Sequence, residues 1–163
     1  MPRLWRVAVT GLAALLGAGH PVPSDVALDP TESLVKEIAD VSLRDVAVAV
    51  YDPVHPVIYF NPVLMDRFSP ELDSFFMAHE HAHIALRHTR SSALRAEPGR
   101  RSRVLQDKEL EADCLAARRL GFSQRGSALA AVRFFSKMGN TQFDSEHPTG
   151  TERARQILLC MAE

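Results

Sequence analysis

Residues 79–83 read His79-Glu80-His81-Ala82-His83, two histidines four apart with a glutamate directly after the first. On a helix, residues four apart share a face, so both imidazoles can close on one metal ion of the zinc type. Glu80 would emerge beside them, able to hydrogen-bond a water at the metal rather than ligate the metal itself. The pattern is HExxH, a signature of metal-assisted hydrolysis. His81 and His88 do not share that face. His81 projects to the far side and His88 lies about 140° round from His83. Both read as supporting or core histidines bonded to backbone.

A catalytic zinc has three protein ligands and one open position, so a third ligand must come from elsewhere in the chain. Glu109-Leu110-Glu111-Ala112-Asp113 offers two glutamates. Helical projection places Glu109 on one face with Leu105, Ala112, Ala116 and Leu120. Glu111 falls among Asp107, Lys108 and Arg118, a solvated face. Glu109 is therefore the expected ligand, since a carboxylate amid apolar neighbours needs a partner. Asp113, one turn further, can orient a liganding imidazole through its other ring nitrogen. The competing reading pairs Glu109 and Asp113 with arginines such as Arg87. Cys114 sits about 140° from Glu109 and is not an expected ligand.

The elements that must hold these residues follow from caps and periodicity. Ser69-Pro70-Glu71 opens a helix expected to reach about Thr89, apolar nearly all round and hence central. A second helix spans about Val104 to Leu120 and stops at Gly121. A third spans about Gln124 to Met138 and stops at Gly139, and a last one begins near Thr151. Upstream, Asp29-Pro30-Thr31-Glu32 predicts a helix through about Asp40. Val46 to Tyr51 and Val57 to Phe60 read as strands around an Asp52-Pro53 turn. The second of these could form a sheet edge that takes a substrate as an added strand, or lie in the interior. Arg90 to Arg103 reads as a polar loop with five arginines, solvated or acting as a gate. The expectation is α+β, mostly helical, with a small sheet beside the HExxH helix.

With 163 residues, 46% of them apolar and 24% charged, the chain suits one globular domain. A formal net charge of -1 supplies no basic field for nucleic acid. Arg3 and Arg6 precede an uncharged run from Val7 to Gly19, too short to span a bilayer. Residues 1–20 thus read as a signal peptide, or as an uncleaved anchor, with 21–29 a linker and 30–163 the domain. The expected location is periplasmic or secreted, with no membrane span in the mature chain. Cys114 and Cys160 could pair in an oxidising compartment. Their spacing does not show that they meet, so the reading keeps each as a small buried hydrophobe.

An HExxH helix followed by Glu-x-x-Ala-Asp, here Glu109 to Asp113, resembles the HtpX and CAAX-prenyl-endopeptidase family of gluzincins. The resemblance covers roughly Val46 to Ile157. It includes the apolar lead-in Phe76-Met77-Ala78 before His79 and a His147-Pro148 segment with Arg153 six residues after the histidine. It implies a zincin-like fold with one Zn2+ on His79, His83 and Glu109, and Glu80 as general base. It further implies Asp113 as the orienting carboxylate, His147 stabilising the tetrahedral intermediate, and Arg153 in support. The implied activity is cleavage of polypeptides, such as unfolded or damaged envelope proteins. His81 departs from the Leu-like residue usual in the family, and the transmembrane helices of its membrane-embedded members are missing. Two rival classes remain: a non-catalytic zinc binder using the 79–88 histidines, and an envelope chaperone or adaptor on the same fold.

Overall fold

The structure, a computed structural model, describes residues 34–88 and 97–162. The expected signal peptide, the linker, Thr89 and residues 90–96 of the Arg-rich loop lie outside them. Three short strands come first: β1 (Lys36–Ala39), β2 (Ala47–Val50) and β3 (Val57–Phe60). They form one sheet in the order β1-β3-β2, with β1 parallel and β2 antiparallel to β3. The start of the helix expected through Asp40 lies outside the described residues, and its later part is overturned, because Lys36 to Ala39 pair with Val57 to Phe60 instead. The cap-and-proline signal is local, whereas this pairing joins segments about twenty residues apart and outweighs it.

Of the two alternatives for β3 the structure shows the interior one, with β1 and β2 as the edges of the sheet. The backbone N–H of Asn61 donates to the Val46 carbonyl. In an antiparallel ladder, alternate residues point their polar groups the same way. Val46, Val48 and Val50 therefore face β3, and Ala47 and Ala49 turn theirs to the open side. Asn61 finishes β3 and caps α1 (Pro62–Met65), accepting from Val63 and Leu64 N–H. Its amide donates to the carbonyls of Val41 and Leu43, which satisfies this buried side chain and ties the β1–β2 connection to the sheet.

α2 (Pro70–Ala85) opens with the expected Ser69 cap and Pro70, and packs against β2, α3 (Arg101–Leu120) and α4 (Arg125–Met138). α3 begins three residues earlier than expected, after a 3-10 turn at Pro98–Arg100. It ends at Gly121 and α4 at Gly139, both in the positive-φ region that those glycines allow. α5 (Gly150–Cys160) lies on α3 and α4 and carries a capping box between Thr149 and Glu152. Gly150 enters α5 hard against the end of α4, where a Cβ would collide with the Phe135 carbonyl. The core sets Phe75, Phe135 and Ile157 among Ala116, Ala117 and Ala131, small residues that let the helices approach closely.

Cys114 of α3 and Cys160 of α5 form a disulfide across a Cα–Cα distance of 5.3 Å, contrary to the unpaired reading. Sequence periodicity placed both on helices but carried no distance between them. The bond closes a chain separation of 46 residues. Reducing it, or replacing both cysteines by alanine, is expected to lower unfolding free energy by about 2–4 kcal/mol. Urea midpoints of the oxidised and reduced protein measure this, and coincident midpoints would refute it.

Candidate metal centre

α2 and α3 bring His79, His83 and Glu109 together, with one ligand-capable atom from each, all within 4.8 Å of one another. The two Nε2 atoms are 3.0 Å apart. Glu109 Oε2 lies 3.2 Å from His79 Nε2, and Oε1 lies 3.3 Å from His83 Nε2. Ligands about 2.0–2.1 Å from a tetrahedral ion are separated by roughly 3.3 Å, so this triangle has the right size. The projection that chose Glu109 over Glu111 agrees with the structure. Glu109 is 16% exposed at the centre and Glu111 is 64% exposed outside it.

The donor chemistry also demands a cation. Asp113 Oδ1 accepts from His79 Nδ1 at 2.9 Å, which puts a proton on that nitrogen. His79 Nε2 then turns a lone pair toward a carboxylate and a second imidazole unless something positive sits between them. Burial opposes a charged His79, but Asp113 and Glu109 outweigh it and raise its pKa to about 10. Burial likewise resists ionisation of Glu109, yet the facing His79 and His83 hold its carboxyl well below the usual range. A proton or a metal ion can supply the missing positive charge, and the residues fit the metal.

Behind His79 stands a buried pair. Arg153 donates from Nε to Asp113 Oδ2 at 2.8 Å and from Nη2 to Oδ1 at 2.6 Å. Its guanidinium stacks 4.1 Å over the Phe135 ring. Asp113 is fully buried and Arg153 is 6% exposed. The competing reading holds in part for Asp113, which does pair with an arginine, Arg153 from α5, while Oδ1 also faces His79 Nδ1. Burial opposes the charge on Asp113, but Arg153 and then His79 outweigh it and keep its pKa low.

Glu80 projects from α2 toward the sheet, where Oε2 accepts the Ala49 N–H at 2.6 Å. Base candidate and open strand edge are therefore joined. His147 lies at the rim, its Nε2 3.9 Å from Glu109 Oε2. Asp144 Oδ1 holds its Nδ1 at 2.9 Å and its backbone N–H at 3.0 Å.

Two histidines differ from the sequence reading. His81 meets a carboxylate rather than backbone, with Nε2 2.8 Å from Glu37 Oε1 on β1. The helix expected to reach Thr89 ends at Ala85, and Arg87 reverses the chain at φ 54°. His88 consequently folds back onto His83 rather than lying 140° away, Nδ1 to Nδ1 at 3.1 Å, and its Nε2 is 3.1 Å from Glu111 Oε2. Burial, followed by the charges of His83 and Lys108, pushes the His88 pKa down to about 4. Sequence offered no sign of this contact, because the turn-forming residue is an arginine where glycine is usual. No family model, curated protein or solved structure matches the chain.

Proposed function

We propose that this chain is a zinc-dependent endopeptidase of the gluzincin type that cleaves unfolded or damaged polypeptides. The observation that carries the reading is the convergence of His79, His83 and Glu109, with Glu80 one residue beyond the first ligand and bonded to the open edge of β2. Zinc bound there would supply Lewis acidity to a scissile carbonyl and to a water. Ala47 and Ala49 turn backbone groups outward along β2, so an extended substrate can add as a strand and lie across the centre. Glu80 exchanges its bond to Ala49 for one to the attacking water, takes its proton and returns it to the leaving amine. His147, steadied by Asp144, serves from Nε2 to stabilise the negative oxygen of the tetrahedral intermediate. Asp113 keeps the His79 proton on Nδ1, and Arg153 keeps Asp113 ionised.

Export to the cell envelope or beyond belongs to the same proposal. The basic-then-apolar N-terminus and the Cys114–Cys160 bond both suit an oxidising compartment. No helix among the described residues is long and apolar enough to cross a membrane. The bond from Ala49 to Glu80 favours a second reading, a zinc-binding protein without catalysis, in which Glu80 serves only as a strap to the sheet.

One assay separates the two. The purified protein should bind one zinc ion per chain and cleave casein, stop when a chelator removes the metal, and resume when zinc is restored. A folded protein holding its zinc but leaving casein and unfolded protein mixtures intact would overturn the peptidase and leave the binder.

A further inference from the structure

The close of α2 is a Schellman motif. His88 N–H donates to the His83 carbonyl at 2.9 Å and Arg87 N–H to the Ile84 carbonyl at 3.0 Å, with Arg87 in the left-handed region. Such a closure lays the residue beyond the cap against the residue five before it, and that contact is usually apolar. Here both are histidines, ring centroids 5.2 Å apart. The His88 side chain is only 9% exposed, held between His83 and Glu111.

The direction of each hydrogen bond follows from the two ends. His83 points Nε2 at His79 and Glu109, so as a ligand it must carry its proton on Nδ1 and donate to His88 Nδ1. His88 must then hold its own proton on Nε2, where Glu111 Oε2 accepts it. The reverse arrangement of two neutral rings would set a His88 lone pair against the Glu111 carboxylate. The acidic end thus selects one tautomer along the whole line.

We propose that Glu111 and His88 are positioning residues that lock His83 in its Nδ1–H tautomer and so present its Nε2 lone pair to the metal. This rests on the reading of His83 as a metal ligand. It gives the two histidines matching supports: Asp113 with Arg153 behind His79, and His88 with Glu111 behind His83. One stretch of α3 supplies a ligand at 109 and one carboxylate to each support, at 111 and 113. The second support is the more solvent-exposed, since Glu111 is 64% exposed while Asp113 is fully buried.

Two measurements on the full chain test the relay. Zinc affinity by competition with a chromogenic chelator should fall about 10–100-fold in His88→Ala. His88→Asn, whose Oδ1 can accept from His83 Nδ1–H, should recover most of that loss, and Glu111→Ala should cost less than His88→Ala. Long-range imidazole nitrogen–proton NMR of the zinc-free wild type should find His83 protonated on Nδ1 and His88 on Nε2. Wild-type zinc affinity in a folded His88→Ala protein, or a His83 proton on Nε2, would overturn the relay. If His88→Ala does not fold, the NMR spectrum and Glu111→Ala decide. A wild-type chain without zinc affinity would instead sink the metal centre itself.

Discussion

A Glu80→Gln protein is expected to keep its zinc and lose its cleavage, with kcat down about a hundred- to ten-thousandfold. The exchange isolates one property. Glutamine has the shape of glutamate, and its carbonyl oxygen can still accept the Ala49 N–H that Glu80 Oε2 accepts at 2.6 Å. The strap between α2 and β2 survives, so fold and zinc-free stability should change little. Glu80 is not among the three groups that converge for the metal, so stoichiometry should also hold. What glutamine cannot do is receive a proton from water and hand it to a departing amine. Zinc content, thermal unfolding and casein cleavage on the same preparation separate these effects. Unchanged cleavage at full zinc occupancy would remove Glu80 from the mechanism and leave it as a strap.

Much of this centre is readable without coordinates because it is helical and local. Four-residue spacing brings two rings together whatever lies around them, and the projection of 104–120 sorts Glu109 from Glu111 by the polarity of their neighbours. Caps are equally local. Ser69-Pro70, Gly121 and Gly139 state their roles in their own conformational limits, and the structure uses each of them. Arg153 was legible only through the resemblance, since nothing in the spacing of 113 and 153 shows that they meet.

The misreadings share a cause. β1 carries a helix-like lead-in but is decided by parallel pairing with β3, and the edge position of β2 depends on strand order, which no short window encodes. The Cys114–Cys160 bond needs the packing of α5 on α3. The early end of α2 is hidden more deeply, because Arg87 adopts a conformation that usually announces itself with glycine. On a helix continuing to Thr89, His88 would point away from His83. Where the chain departs from its local preference, at residue 87, it brings the His88 ring against His83, one of the candidate ligands.

The second large effect is expected at Asp113. Asp113→Ala should cost about 3–5 kcal/mol of unfolding free energy, because it strands the buried Arg153 guanidinium without a counter-charge. The contribution of the pair has a defined pH window. The folded pKa of Asp113 is depressed, so the stability it adds is present above its unfolded value of about 3.9 and fades as pH falls through the lower folded value. Zinc affinity should drop as well, by about 10–100-fold, since His79 loses the acceptor that keeps its proton on Nδ1. These two losses have different origins, and a second substitution can part them. Adding Arg153→Met to an Asp113→Leu chain removes both charges and refills the space with apolar atoms beside Phe135. Buried pairs replaced in this way often regain their stability. The double variant should therefore recover in urea denaturation while its zinc affinity stays low, because no carboxylate accepts from His79 Nδ1. Recovery of both would reduce Asp113 to a partner for Arg153. Recovery of stability alone assigns it the ring behind the metal, which is where helical spacing on α3 puts a carboxylate four residues beyond a ligand.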